Sequence, residues 1–470
     1  MNNQMTIEEQ IRQWQSNSPD SRLVRQIRKE NEKLDRTLVV LDDDPTGTQT
    51  VHDLPVVTSW DEELLAELFR EKTPIFYVLT NSRSLNAEQA RDLIATIARN
   101  LTAVSESTGR DYSVILRSDS TLRGHHPAEM DALIETIGKE PDLKVLHPAF
   151  IEGGRLTFNG VHYAGEDGRY LPCGETEYAQ DPTFGYTSSH LSDWIIEKTG
   201  GRVSSDQVVC LSIDRIRNNS VEDLARQIQL ISKGNYLVVD ALSYHDIDKF
   251  CLALLKSKRS FVARTAASFV ASMGGIEQRP LLSAEELAYH SGYGGLIIAG
   301  SFVEKTTRQL NKLIEQADIR HKVLDVKQLL QTEDRERLLQ EWVKTTQRYI
   351  EDNQDLLIYT SREVVTTDEV NKHLDIGKRI STFISDLVRA LPVTPSFLIA
   401  KGGITSSDIA TEALNVKKAR IMGQILPGIP VWELGSESKY PGMPYIIFPG
   451  NVGGDEALVD ALRRIKGEEI

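Results

Sequence analysis

An apolar run, Leu38-Val39-Val40-Leu41, ends abruptly in three carboxylates, Asp42-Asp43-Asp44, and a Pro45-Thr46-Gly47-Thr48 turn follows at once. Short runs of Val, Ile and Leu are how buried parallel strands read. In open α/β sheets a ligand sits beyond the carboxyl ends of such strands. Three adjacent carboxylates repel one another unless a cation or a shared proton joins them. A metal ion, a basic substrate or a substrate hydroxyl would each serve. The turn marks an active-site position without naming its chemistry.

The chain around this turn alternates. Strands are expected over 75–80, 112–116, 143–146, 207–213, 236–241 and 261–266. Helices are expected over 61–72, over 86–107 with Ala90, Leu93, Ile94 and Ile97 on one face, and over 127–137 with Pro127 in the first turn. Two short helices are expected before residue 37, broken at Ser16-Asn17-Ser18-Pro19. A second series of strands is expected over 296–299, 356–360, 397–400 and 445–448. This rhythm predicts an α/β protein of two α/β domains, each with a mostly parallel sheet flanked by helices. The expected division is a helical extension over 1–37, a first domain over 38–275 and a second over 290–470, the glycine-bearing stretch 273–295 lying between. Residues 152–186 hold seven glycines and break the rhythm. They read as a long functional loop without secondary structure.

Composition excludes several classes. At roughly 100–200 residues per domain, a chain of 470 residues makes about two to four domains. The formal charge of −14 argues against a nucleic-acid-binding surface, which should be basic. Cys173, Cys210 and Cys251 form no Cys-x-x-Cys pair, so neither a zinc site nor a disulfide framework is suggested. The first residues include Glu8, Glu9 and Gln10 and lack the apolar core of a secretory signal. No run approaches the ~18 apolar residues of a membrane span. A cytoplasmic protein without a membrane partner is expected, and self-association stays open.

Two constellations carry chemistry. In the first half, the expected strand ends bear Asp43 and Asp44; Asn81, Ser82, Arg83 and Ser84; Arg117, Ser118, Asp119, Ser120, Thr121 and Arg123; and His147, with Arg155 shortly after. In a parallel sheet these turns converge on one edge. Arg presents a planar fork matched to carboxylate or phosphate, and Ser, Thr, Asn and Asp suit sugar hydroxyls. The set fits a small polyhydroxy acid. His125 and His126 read as polar turn residues before a helix, His147 as a group able to touch ligand, and His162 is undecided.

In the second half, the 397–400 strand runs into Lys401-Gly402-Gly403-Ile404-Thr405-Ser406 and a helix. Glycines between a strand and a helix let backbone amides approach phosphates. The Gly-Lys-Ser/Thr ending of a Walker motif is missing. Gly428, Gly450, Asn451 and Ser301, on neighbouring turns, complete the candidate phosphate cradle with Gly402, Gly403, Ile404 and Thr405.

Asp42-x-Asp44-x-Thr46 also resembles the nucleophile loop of haloacid-dehalogenase-type phosphatases. There the first Asp attacks phosphorus and the second is acid/base. Asp455 and Asp460 resemble the acidic motif of that family, but a whole second α/β half intervenes, and the Gly402-Gly403 loop stays unexplained.

Asp43-Asp44-Pro45-Thr46-Gly47-Thr48, Arg117-Ser118-Asp119-Ser120-Thr121-Leu122-Arg123-Gly124 and His147-Pro148-Ala149-Phe150 resemble the N-terminal domain of the four-carbon acid sugar kinases. Gly300-Ser301, Lys401-Gly402-Gly403-Ile404-Thr405-Ser406 and Phe448-Pro449-Gly450-Asn451-Val452-Gly453 resemble their nucleotide-binding C-terminal domain. The likeness runs from about Leu38 to Asp460. Many members read Asp-Asp-Leu/Phe-Thr-Gly-Ala and Arg-Gly-Asn where this chain has Asp43-Asp44-Pro45-Thr46-Gly47-Thr48 and Arg123-Gly124-His125. The resemblance implies ATP- and Mg2+-dependent phosphorylation of threonate, erythronate or an oxo-tetronate, with the active site in the cleft between the domains. Asp44 or Asp43 would be the catalytic base or hydroxyl orienter. Arg83, Arg117, Ser118, Asp119, Arg123 and Arg155 would bind the acid sugar, and the glycine loops would bind ATP. The metal ligands are unassigned. A non-catalytic acid-sugar sensor is the remaining alternative.

Overall fold

The computed structural model describes residues 7–14, 20–166, 168–289, 292–300, 303–361, 370–450 and 452–469. The strands of the first 300 residues are β1 (Thr37–Asp42), β2 (Leu54–Val57), β3 (Ile75–Leu79), β4 (Tyr112–Arg117), β5 (Leu143–His147), β6 (Arg155–Phe158), β7 (Val161–Glu166), β8 (Arg169–Pro172), β9 (Val208–Leu211), β10 (Asn235–Val239), β11 (Phe261–Thr265) and β12 (Leu296–Ala299). The remainder are β13 (Arg320–Leu324), β14 (Leu356–Thr360), β15 (Leu398–Lys401), β16 (Lys418–Leu426), β17 (Ile429–Leu434) and β18 (Pro444–Phe448). The chain divides into two compact units, one of residues 1–51 and 59–278, the other of residues 52–58 and 279–470.

In the first unit the strands run parallel in the order β3-β1-β4-β11-β5-β10-β9. Every residue of β1 and β3 is buried, as strands covered on both faces require. Helices cover the sheet because their apolar residues recur at helical spacing. Ala87–Thr108 buries Ala90, Ile94, Ile97, Ala98 and Leu101, starts at an Asn86/Gln89 capping box and stops at Gly109 in left-handed backbone. The Ser21–Leu34 helix buries Val24 and Ile27, and its Arg28 and Asn31 side chains donate to the carbonyls of Gly275 and Met273. Ile11, in the Ile7–Trp14 helix, packs with Leu156, Ile213 and Leu242.

Residues 152–186 are not the unstructured loop expected. β6, β7 and β8 pair antiparallel as a small separate sheet. Gly154, Gly160 and Gly168 occupy positive φ at its turns, which is why a hairpin sheet of short strands reads as a glycine-rich loop.

The second unit orders its strands β13-β14-β12-β15-β18-β17-β16-β2, parallel through β18 and antiparallel beyond it. Sequence reading missed β2, β13, β16 and β17. Its core joins Ile297, Leu357, Ile399, Val431 and Phe448 to Leu458 and Leu462 of the Ala457–Lys466 helix. Among the described residues no helix is long and apolar enough to cross a membrane.

Both sheets reverse their strand order at a central strand. In the first unit the chain goes from β1 to β3 on one side and to β4 on the other. In the second it goes from β12 to β14 on one side and to β15 on the other. Such switch points open a crevice at the carboxyl ends of the strands.

Candidate functional site

The switch point of the first unit holds the three aspartates. Asp42 is the last residue of β1, in register with Leu79 of β3 and Arg117 of β4. The loops after β3 and β4 therefore stand on either side of Asp43 and Asp44, and the three aspartates have different surroundings.

Asp42 points inward. Its Oδ1 lies 3.4 Å from Arg117 Nη1, and a Cβ on Gly47 would fall 1.9 Å from its Oδ2, so the turn needs glycine there. Burial pushes its carboxyl up to about 8, against the opposing pull of Arg117, and the neighbouring Asp43 and Asp44 push the same way. Asp44 is engaged on both oxygens: Oδ1 accepts from Thr46 N at 2.8 Å and Thr46 Oγ1 at 2.5 Å, and Oδ2 meets Arg83 Nη2 at 2.6 Å. Burial would raise it, but Arg83 and the Thr46 donors hold it below the ordinary carboxylate range. Asp43 Oδ2 accepts from Ser118 Oγ at 2.6 Å. Its Oδ1 is buried, accepts no hydrogen bond, and lies 3.5 Å from Arg83 Nη2.

Arg83 binds this set together. Besides Asp43 and Asp44 it reaches Asp119 Oδ1 at 3.4 Å. Burial opposes its charge, yet the surrounding carboxylates raise its pKa further above the ordinary value. Asp119 also accepts from Arg123 Nε at 2.8 Å, and Arg123 and Arg83 hold its carboxyl far below the usual range in spite of burial. Arg123 and Arg155 both face the Tyr178 ring, at 5.2 and 5.6 Å from its centre. Arg155 donates to the carbonyls of Gly153 and Gly165 and to Tyr178 Oη. Among the described residues no carboxylate lies within ion-pair distance of it. Arg117, expected to face a substrate carboxylate, instead turns to Asp42 and to Gln49 Oε1, because a buried carboxyl on the adjacent strand claims it.

Sequence reading missed three groups. Arg264, near the end of β11, is 3% exposed and donates to Ser118 Oγ and to the Arg123 carbonyl. Glu129 accepts from Ser82 Oγ at 2.5 Å, and burial together with Asp43 pushes it up to about 7. Gly124, at φ +121, leaves the space beside Ser118 Oγ and Asp43 Oδ2 free of a side chain. Only the glycine carried a sequence signal. Of the histidines, His125 and His126 do stand in the turn before the Ala128–Ile137 helix, and His147, expected to be able to touch ligand, does not reach the site. His125 and His126 are buried, His125 bonding to the carbonyls of Ser82 and Leu85 and His126 stacking on Trp194. His147 is fully buried beside Phe250 and Phe269, away from solvent. His162 bridges the Ser120 carbonyl and Thr157 Oγ1.

The second unit builds its own switch-point crevice. Ala299 of β12 pairs with Lys401 of β15, and Lys401 with Phe448 of β18, so Gly300, Gly402 and the 449–450 turn share one edge. A Cβ on Gly300 would lie 2.3 Å from Thr405 Oγ1, and Gly402 sits at φ +113. Lys401 is buried and donates to the Pro449 carbonyl at 2.9 Å. Thr306 Oγ1 donates to the Gly450 carbonyl, and Gln309 Nε2 to those of Val452 and Gly454, pinning that loop. Gly403 opens a short helix through Asp408 that continues as one wider turn to Ala413. Ile404 is 59% exposed beside the partly open Gly403. Gly428 forms the β16–β17 turn at the same edge, but its N–H is taken by Gln424 Oε1. Ser301 and Asn451 lie outside the described residues. Bare backbone in close approach is what a phosphate tail needs, so the edge fits a nucleotide. Among the described residues no three His, Cys, Asp or Glu side chains are grouped to hold a metal ion.

Residues 38–273 match the sugar-binding N-terminal domain family, and residues 296–458 the nucleotide-binding C-terminal domain family. D-erythronate kinase of Heliobacterium modesticaldum is 24% identical over 291 residues, a match spanning 60% of this chain and 60% of that relative. A Salmonella typhimurium LT2 protein shares the fold with TM-score 0.66 at 16% identity, covering 91% of this chain and 99% of the other. A Haemophilus influenzae protein of the DUF1537 family does so with TM-score 0.59 at 18% identity, covering 91% and 100%. The paired domains, in this order and over nearly the whole length, place the chain in the four-carbon acid sugar kinase family.

Proposed function

We propose that the protein phosphorylates a hydroxyl of a four-carbon acid sugar, of threonate, erythronate or oxo-tetronate type, using ATP and Mg2+. The observation that carries this reading is Asp43 Oδ1, a buried carboxylate oxygen without a hydrogen-bond donor at the switch point of a sugar-binding unit. ATP supplies the phosphoryl group, and Mg2+ offsets its negative charge. The substrate oxygen forms the new bond to the γ-phosphorus while the bond to the β–γ bridging oxygen breaks, releasing ADP. Asp43 takes the hydroxyl proton. Asp44, held ionised and doubly engaged, orients Arg83. Arg155, which shares the Tyr178 ring with Arg123, receives the substrate carboxylate.

The phosphatase reading asks Asp42 to be an ionised nucleophile and Asp44 a proton donor. Their surroundings favour the reverse: Asp42 holds its proton up to about 8, and Asp44 is kept ionised. A sensor would bind the acid without turnover. The experiment is incubation with Mg-ATP and a panel of four-carbon acids while ADP is followed. Acid-dependent ADP supports the kinase. Release of phosphate from an acid-sugar phosphate without ATP, or binding without either reaction, rejects it.

A further inference from the structure

We infer that Arg264 is a positioning residue: it fixes the direction in which the Ser118 hydroxyl donates, toward Asp43 Oδ2, and so keeps the second oxygen of Asp43, which has no hydrogen-bond donor, for the substrate hydroxyl. The inference rests on the reading of Asp43 as proton acceptor. β11 lies beside β4, with Arg264 paired to Leu116 and the Thr265 carbonyl accepting from Ser118 N at 2.8 Å. Arg264 Nη2 donates to Ser118 Oγ at 3.1 Å and to the Arg123 carbonyl at 2.9 Å. A guanidinium can only donate. Ser118 Oγ, accepting from Arg264, must direct its single hydrogen elsewhere. Asp43 Oδ2 at 2.6 Å and the Arg123 carbonyl at 3.3 Å are within reach. The carboxylate is the nearer and the stronger acceptor, and the carbonyl is already taken by Arg264.

The surroundings keep this chain of donors rigid. A Cβ on Gly124 would stand 2.8 Å from Ser118 Oγ, 3.2 Å from Asp43 Oδ2 and 3.3 Å from Arg264 Nη2, so the three groups close around a bare glycine. Leu122, in the same loop, is held fully buried at φ +70, which a bulky side chain adopts only when its neighbours over-determine it. Beneath, the Arg264 guanidinium lies over the Trp194 ring at 5.1 Å, and His126 stacks on the same indole at 4.9 Å between centres. This floor excludes water and strengthens each bond above it. Without Arg264, the Ser118 hydroxyl is free to turn to the Arg123 carbonyl at 3.3 Å and leave Asp43 Oδ2 without its donor.

The test is steady-state kinetics of the full chain with acid and ATP varied separately, for Arg264→Lys, Ser118→Ala, their combination and Asp43→Asn. Lysine keeps a charge but loses the fork. Each of the first two should lower kcat by about tenfold or more, as small misplacements of reacting groups do, with KM for ATP changed less than about twofold. Because both break one chain of donors, the double variant should fall within about twofold of the worse single. A double variant that loses the product of the two single losses, or an Arg264→Lys enzyme with undiminished kcat, overturns the inference. If Arg264→Lys does not fold, Arg264→Gln takes its place. If neither folds, Ser118→Ala alone decides, unchanged kcat overturning the relay and lowered kcat with unchanged KM for ATP supporting it. Asp43→Asn separates the two claims. Full turnover there rejects Asp43 as acceptor, whereas lost turnover beside multiplicative Arg264 and Ser118 losses rejects the relay alone.

Discussion

Ser118 Oγ donates to Asp43 Oδ2 at 2.6 Å, while Asp43 Oδ1, buried 3.5 Å from Arg83 Nη2, accepts no hydrogen bond. The adjacent Asp44 offers the contrast, since both its oxygens are engaged by Thr46 and Arg83. Asp44→Asn should therefore loosen Arg83 and raise KM for the acid, with a smaller loss of kcat than Asp43→Asn. The comparison is made by initial rates. An Asp44→Asn loss as large as the 10²–10⁴-fold or so typical of a missing general base would move the role to Asp44.

Arg155→Ala should raise KM for the acid about ten- to a hundredfold, the worth of a charged hydrogen bond. It should leave KM for ATP near its original value and narrow the preference for acids over uncharged four-carbon polyols. Equal preference before and after the change would assign the substrate carboxylate to another group.

Stability should respond to pH through Asp42. Burial raises its carboxyl from 3.8 to about 8, and Glu129 from 4.5 to about 7, so the folded chain keeps protons that the unfolded chain has lost. Their contribution is fully present below the unfolded values and is lost as pH rises through about 7 to 8. His147 and His162, which burial pushes down to about 4, give the opposite slope at acid pH. The readout is therefore the difference in thermal midpoint between the wild type and Asp42→Asn. That difference should shift in favour of the variant as pH rises from about 5 to about 8. A difference independent of pH would mean that Asp42 is ionised throughout.

Gly300→Ala should weaken nucleotide binding by about tenfold or more and leave acid binding unchanged, since its Cβ would fall 2.3 Å from Thr405 Oγ1. Calorimetric titration with a non-hydrolysable ATP analogue, and separately with the acid, checks it. Loss of acid binding alone would displace the nucleotide from this edge.

The parts of the fold readable in sequence were those fixed locally. The run into Asp42 and the long helix with its Asn86 cap carry their own periodicity, and the turns at Arg83 and Ser118 follow strands that end where the apolar run ends. Arg264 was hidden inside an apolar-looking strand, Phe261-Val262-Ala263-Arg264-Thr265. Its role exists only because β11 inserts between β4 and β5, a pairing set by tertiary packing. Glu129 is a charged residue in the first turn of the Ala128–Ile137 helix, a place that carries no sign of burial in sequence, and its burial against Ser82 depends on the neighbouring loop. β2 was invisible because four residues pairing with β16, more than three hundred positions on, leave no local signature. Arg117 had the right residue type and the wrong direction, since Asp42 had first claim on it.

The most direct measurement is phosphorus NMR of the wild type and Asp43→Asn incubated with Mg-ATP and four-carbon acids. A new phosphomonoester on an acid should appear in step with ADP in the wild type and form about 10²-fold or more slowly in the variant. Inorganic phosphate alone, or equal ester formation by both proteins, would contradict phosphoryl transfer through Asp43.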